Sequence, residues 1–115
     1  MKVARLIDYK KFEFSNSDII EPNDGECLLK VKVVSICGTD IRREFNKEWS
    51  KDSYPQRPGL PCHEIVGEIY RSKSKLFKEG DRVLAVPTSD NGLQEYLTLP
   101  ENRFIKLPEW GEYED

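Results

Sequence analysis

The sequence predicts a mainly β fold, either a small β-barrel or a strongly bent sheet, with one or two short helices. Apolar and polar residues alternate with a period of two along most of the chain, which is typical of half-buried strands. About six such segments follow one another at short spacing, separated by turn-forming residues. No G-x-G-x-x-G motif follows a strand, so we expect no Rossmann domain in this chain.

The predicted strands are short, and the strongest spans residues 26–36. There Lys30 and Lys32 would face one side of the sheet, whereas the apolar residues between them would face the other. Clusters of Ser, Asn, Asp, Gly and Pro predict turns at residues 15–18 and 21–25. The remaining predicted strands cover residues 3–8, 65–71, 82–86, 93–99 and 103–107.

Two segments depart from this alternation. Ile41, Phe45 and Trp49 are spaced four residues apart, which predicts a short helix over residues 40–48. Residues 53–61 contain three prolines. Because proline lacks an N–H and fixes φ, this segment is predicted to be an ordered, extended loop and neither a helix nor a central strand.

Length and composition indicate one domain, which we expect to cover residues 1–108, followed at 109–115 by a fraying acidic end or the start of a connection. A net charge of −3, without basic runs, argues against a nucleic-acid partner. The sequence contains no apolar stretch of about 18 residues, so we expect no membrane span. The N-terminus reaches a charged residue too early for a secretory signal. Three cysteines, an odd number, argue against a disulfide framework, so we expect a cytoplasmic protein.

Chemically useful side chains are concentrated in two segments, Cys37–Asp40 and Cys62–Glu64. Cys37 follows the strongest strand and precedes the predicted helix, where backbone N–H groups favour a thiolate. A thiolate and an imidazole suit Zn²⁺ better than Mg²⁺ or Ca²⁺. One Cys and one His, 26 residues apart, are by themselves a weak metal signal, because a single histidine is more often a structural residue.

The carboxylates strengthen the metal interpretation. Either Asp40 or Glu64 would accept a hydrogen bond from the ring nitrogen of His63 that does not face the metal. A competing interpretation pairs Cys37 with His63 as nucleophile and base. The sequence gives no sign of the oxyanion hole and orienting group that such a site needs, so we rank that alternative lower.

The remaining candidates have simpler interpretations. Cys27 lies within the strongest strand and is expected to be a small apolar core residue. Cys62 adjoins His63, and neighbouring residues in an extended chain point in opposite directions, so we expect it to pack away from the metal. The pair Arg42 and Arg43 is either an anion contact or two solvated charges, and the second is the more common case.

Taken in order, these motifs resemble those of the zinc-dependent medium-chain alcohol dehydrogenases, in particular their N-terminal, GroES-like catalytic domain. The resemblance extends from about Val3 to Pro108 and predicts a GroES-like, partly open β-barrel. The residues that support it are, in sequence, Gly25-Glu26, Cys37-Gly38-Thr39-Asp40, Pro58 to Gly67 with His63-Glu64, Gly80-Asp81-Arg82-Val83, and Leu93-Gln94-Glu95-Tyr96.

The resemblance implies a role for each residue of the two segments. Cys37 and His63 would be ligands of one catalytic zinc, and Glu64 would approach the metal or bind it transiently. Thr39 would pass the proton of the substrate alcohol away from the zinc, and Asp40 would hydrogen-bond His63. The implied reaction is hydride transfer from a small alcohol or polyol to NAD(P).

The sequence also departs from the family pattern. Arg42 stands where a histidine often ends the proton relay, and arginine cannot act as a base at neutral pH. Cys62 stands where a glycine is usual, and residues 87–92 contain no cysteines, so we expect no structural zinc. The family's third zinc ligand and its NAD(P) domain lie beyond Asp115. We therefore expect no cofactor-binding residues here and no activity from the isolated chain.

Two functions follow. The order of the motifs favours the catalytic domain of an alcohol or polyol dehydrogenase. The short chain and Arg42 favour the alternative, a non-enzymatic, stand-alone GroES-like barrel that serves as a binding or assembly module. The expected partner is a small-molecule alcohol or polyol, with no nucleic acid and no membrane. The choice of alcohol, NAD against NADP, and homo-oligomerisation stay open.

Overall fold

The computed structural model of the protein describes residues 1–109 and 111, which form two antiparallel sheets. The predicted mainly β fold is confirmed, and the sheets are open. The acidic segment predicted at 109–115 lies largely outside the described residues. The elements are β1 (Lys2–Asp8), β2 (Lys11–Asn16), β3 (Glu26–Ser35), α1 (Gly38–Asp40), a π-helical turn (Ile41–Phe45), a 3-10 turn (Lys51–Ser53), β4 (Glu64–Ser72), β5 (Arg82–Ala85), β6 (Tyr96–Pro100), a 3-10 turn (Glu101–Arg103) and β7 (Phe104–Lys106).

The larger sheet has five strands in the order β6-β3-β4-β5-β7, with β3 and β4 at its centre. The pairing of β3 with β4 is antiparallel and places Ser35 opposite Glu64. The end of β3 therefore lies beside the start of β4. This register matters for function, because the two segments that contain the candidate ligands are attached at that point.

The core lies against this sheet. Leu29 is fully buried whereas Lys30 is exposed, as the alternation in β3 predicts. Cys27 is also fully buried, which confirms its interpretation as a core residue. Burying each large aliphatic side chain contributes on the order of 2 kcal/mol to folding. The buried cluster comprises Cys27, Leu29, Cys62, Ile65, Ile69, Val83, Ala85, Leu97, Leu99 and Phe104.

Strand β2 is an element that the sequence analysis missed. It pairs with β1 to form a separate two-stranded sheet, and its turn lies at Tyr9 and Lys10 instead of at residues 15–18. Lys11 to Phe14 alternates polar and apolar residues, but both phenylalanines are exposed, so this alternation does not mark a buried face. Phe12 nevertheless stacks on Phe45, with ring centroids 5.8 Å apart, so the hairpin packs against the turn that follows Asp40.

The proline-rich loop is not a central strand, as predicted, but it is bent and not extended: Ser53 ends a 3-10 turn, and a turn lies at Pro58 and Gly59, the second of which has a positive φ. The loop is tied to β1. The backbone N–H groups of Gln56 and Gly59 donate to β1 carbonyl oxygens at 2.8 Å each, and Arg5 Nε donates to the carbonyl oxygen of Gln56 at 2.7 Å. These bonds hold a segment that has no regular secondary structure of its own. Among the described residues, no helix has the length and apolar character needed to cross a membrane.

Gly67 is needed where β3 and β4 approach closely. A Cβ atom at this position would lie 2.2 Å from the carbonyl oxygen of Lys30, so the two central strands would have to separate. We expect Gly67→Ala to lower the free energy of unfolding by about 1–3 kcal/mol, measured by urea denaturation. The control is Gly38→Ala, because a Cβ there meets nothing within 4 Å. An equal loss in both variants would contradict this role of Gly67.

Candidate metal centre

The sheet brings the two candidate segments together at one edge. Cys37 lies two residues after β3 and His63 lies one residue before β4, and these strand ends are paired. Cys37 Sγ is 3.7 Å from His63 Nε2. The predicted juxtaposition of the two segments is therefore present, and it results from strand register.

Asp40 holds both candidate ligands through its two carboxylate oxygens. Its Oδ1 lies 3.0 Å from His63 Nδ1, and its Oδ2 accepts a hydrogen bond of 3.0 Å from the backbone N–H of Cys37. Asp40 is only 5% exposed. Because a carboxylate can only accept, Nδ1 must carry the hydrogen, which leaves the Nε2 lone pair free on the side of Cys37.

Thr39 and Glu64 contact different members of this arrangement. Thr39 Oγ1 is 2.6 Å from Cys37 Sγ. Glu64 Oε1 is 3.7 Å from His63 Nε2, and the Glu64 side chain is half exposed. The hydroxyl therefore contacts the sulfur directly, whereas the Glu64 carboxylate lies near the free ring nitrogen at 3.7 Å.

The donor atoms fit a zinc ion. Cys37, Asp40 and His63 each place a donor atom within 4.8 Å of the others, but the oxygens of Asp40 are already engaged. With ordinary Zn–S and Zn–N bond lengths and a tetrahedral angle, sulfur and nitrogen lie roughly 3.5 Å apart. The observed separation of Cys37 Sγ and His63 Nε2 is 3.7 Å. These two atoms form a set with the spacing that two ligands of one zinc ion would need.

Cys62 is excluded from this set by its surroundings. Its side chain is fully buried, and its Sγ lies 3.6 Å from the carbonyl oxygens of Ser35 and Glu64. Burial raises the pKa of the Cys62 thiol above its usual range. Since zinc binds the thiolate, a thiol kept protonated is a poor ligand. The interpretation of Cys62 as a packing residue agrees with this environment.

The loop before β6 supports the segment that contains His63. The backbone N–H of Cys62 donates to the carbonyl oxygen of Asp90 at 2.8 Å, and the N–H of Gly92 donates to the carbonyl oxygen of Cys62 at 3.0 Å. A Cβ at Gly92 would lie 2.6 Å from Ile65 Cγ2. In the sequence, the one notable feature of this loop is its lack of cysteines. Its contacts span nearly 30 residues of chain, and no local pattern reveals them.

A cavity of about 200 Å³ opens beside His63. Arg43 lines this cavity. Arg42, which stands where a histidine often ends the proton relay in the resembling family, does not line it. Of the two consecutive arginines, only Arg43 therefore lies at the cavity beside His63. The cavity is lined by Thr39, Asp40, Arg43, Glu44, Pro61, His63 and Asp90.

Comparison with known families identifies the domain. Residues 23–109 match the family described as the alcohol dehydrogenase GroES-like domain. The chain belongs to this family. The resemblance inferred from the ordered motifs is thereby confirmed, and the alcohol dehydrogenase GroES-like domain accounts for most of the chain.

Related proteins agree with this assignment. The domain is 39% identical over 71 residues to an L-threonine 3-dehydrogenase from Enterobacter sp., covering 58% of this chain and 20% of that protein. It is 29% identical over 116 residues to a sorbitol dehydrogenase from Bacillus subtilis, covering 94% and 33%. Galactitol-1-phosphate dehydrogenase from Escherichia coli has the same fold, with a TM-score of 0.79 and 22% identity over 100% of this chain and 40% of that one. The chain thus spans a fifth to a third of these two curated relatives.

The three cysteines of this GroES-like domain should differ sharply in reactivity. Cys27 and Cys62 are fully buried and burial raises the pKa of both thiols, whereas Cys37 is partly exposed. We expect iodoacetamide at pH 7 to modify Cys37 at least about a hundredfold faster than the other two, which require local opening. Peptide mapping by mass spectrometry measures the rates, with the denatured chain as control. Modification of Cys62 as fast as Cys37 would contradict the packing described here.

Proposed function

We propose that this chain is the zinc- and substrate-binding catalytic domain of a dehydrogenase that transfers hydride from a small alcohol or polyol to NAD(P). The observation that supports it most strongly is the 3.7 Å approach of Cys37 Sγ to His63 Nε2, with Asp40 bonded to both residues. Membership of the alcohol dehydrogenase GroES-like domain family supports the reaction class.

Cys37, His63 and Glu64 would hold the metal. Zinc bound there would act as a Lewis acid and lower the pKa of the substrate alcohol. A catalytic zinc site has three protein ligands, and Glu64 is a half-exposed carboxylate. Because Glu64 is so exposed, a further strong zinc ligand would come from polypeptide outside these 115 residues. The nicotinamide site would come from there as well. The isolated chain is expected not to oxidise alcohols with NAD(P).

The remaining side chains prepare the site and move the proton. Asp40 keeps the hydrogen of His63 on Nδ1, so Nε2 stays available as a donor to the metal. Thr39 lines the cavity beside His63 and is the nearest hydroxyl to Cys37, so it is placed to take the hydroxyl proton of a bound substrate. Arg42 does not line the cavity and cannot act as a base. The proton therefore passes from Thr39 to water.

Replacing Cys37 tests the metal assignment. We expect Cys37→Ser to weaken zinc binding at least tenfold, equivalent to about 1.4 kcal/mol, because a serine hydroxyl does not supply a thiolate. Competition with a chromophoric chelator gives the affinity, and atomic spectroscopy gives the metal content. The matched control is Cys62→Ala, which removes the neighbouring buried thiol and should leave zinc content unchanged. Equal zinc affinity in Cys37→Ser and the unaltered chain would refute the assignment.

Replacing Thr39 tests the proton path. In a polypeptide that joins this domain to a nicotinamide-binding domain, Thr39→Ala should lower kcat by about a hundredfold, typical of a lost proton-transfer group. KM should change little, because the hydroxyl acts mainly when the proton moves. Steady-state kinetics over a range of alcohol concentrations separate the two constants. Thr39→Ser keeps a hydroxyl and should retain most of the rate. An unaltered kcat in Thr39→Ala would remove this residue from the path.

A further inference from the structure

A short strap, defined as residues Asp90 to Gly92, packs against the residue that precedes His63. Its middle residue, Asn91, forms an isolated parallel bridge with Cys62. The backbone N–H of Cys62 donates to the carbonyl oxygen of Asp90 at 2.8 Å, and the carbonyl oxygen of Cys62 accepts from the N–H of Gly92 at 3.0 Å. Both backbone polar groups of Cys62 are therefore bonded to the strap.

The bond from Gly92 fixes the point at which His63 begins. The carbonyl group of Cys62 and the nitrogen of His63 belong to one planar peptide unit, so holding the oxygen also sets the direction of the His63 backbone. On the other side of His63, Glu64 pairs with Ser35 in the sheet. The position of the His63 ring therefore depends on the strap at one end and on strand register at the other.

The conformation of the strap depends on neighbouring groups. Asp90 has a φ of 51°, in the left-handed region that is uncommon for residues other than glycine. The side-chain oxygen of Asn91 is buried and has no hydrogen-bond partner within residues 1–109 and 111, so this oxygen does not hold the strap. A conformation of this kind persists only where the surrounding structure holds it.

Gln94 supplies such a contact. Its side-chain Nε2 donates to the carbonyl oxygen of Asn91, in the middle of the strap, at 2.6 Å. A Cβ atom at Gly59 would overlap this oxygen and would lie 3.1 Å from Gln94 Nε2. The amide of Gln94 is thus confined against the strap. Gln94 does not line the cavity beside His63, so it can affect the site only through other residues.

We propose that Gln94 is a positioning residue for His63. Its amide holds the carbonyl of Asn91 and thereby the strap, and the strap holds the backbone of Cys62. This places the ring of His63 at the observed 3.7 Å from Cys37 Sγ. A metal site tolerates a misplacement of only about 0.5 Å, so loss of the Gln94 bond should be measurable at the metal. The inference rests on the proposed function, which gives the position of His63 its importance.

Replacing Gln94 tests the proposal. Gln94→Met keeps the length of the side chain but removes the donor. We expect zinc binding to weaken about fivefold, less than on loss of a direct partner of a metal-binding histidine, as measured by competition with a chromophoric chelator. In the metal-free chain, nitrogen NMR observes the two ring nitrogens of His63 without overlap, because the chain has one histidine. Their shifts should change in Gln94→Met, since the ring is held less firmly beside Asp40.

Gln56→Met is the matched control. Gln56 Nε2 also donates to the carbonyl oxygen of the residue three positions earlier, Ser53, at 3.0 Å, but this bond lies in the proline-rich loop and not in the strap. Its loss should change neither the zinc affinity nor the ring shifts. Unchanged zinc affinity or unchanged ring shifts in Gln94→Met would overturn the positioning role, and so would equal effects of the two replacements.

The outcomes separate the two proposals. If the unaltered chain takes up no zinc, the proposed function fails, and the ring shifts of the metal-free chain still decide whether Gln94 positions His63. If the unaltered chain binds zinc and Gln94→Met behaves like it in both measurements, only the positioning role fails.

Discussion

The candidate site depends on one buried carboxylate. Asp40 accepts a hydrogen bond from the backbone of Cys37 with one oxygen and from the His63 ring with the other. It thereby joins the two segments, which strand register brings side by side, and sets the tautomer of the histidine. A buried carboxylate with both oxygens satisfied is stable, whereas one left with an unsatisfied oxygen would be costly. The same bonds that make burial of Asp40 tolerable also orient both candidate ligands.

The rest of the fold serves to hold these segments in place. Strands β3 and β4 end side by side, the loop at Asp90 to Gly92 bonds to Cys62 on both sides, and β1 ties down the proline-rich loop. Of the candidate ligands, only Glu64 takes part in these contacts, through its backbone pairing with Ser35. The functional side chains occupy strand ends and loops, while rigid sheet and tightly packed glycines determine where those ends lie.

The tertiary surroundings divide the chemistry between residues of the same type. Cys37 and Cys62 are both thiols beside the site, yet Cys62 is enclosed in the core, where burial raises the pKa of its thiol. Arg42 and Arg43 are consecutive, yet only Arg43 lines the cavity. Residue type alone does not distinguish the members of either pair. Their surroundings decide which one is available for metal or substrate.

The local features of the protein can be predicted from its sequence alone. Alternation identified β3, three prolines identified the loop at residues 53–61, and the ordered motifs around Cys37 and His63 identified the family and its candidate ligands. These signals are local because side-chain period and proline geometry act over a few residues. Four features become visible only in the folded chain: β2 exists, Gly92 packs on Ile65, Arg43 and not Arg42 lines the cavity, and both oxygens of Asp40 are engaged. These depend on strand register and on contacts between segments distant in sequence, which no local pattern specifies.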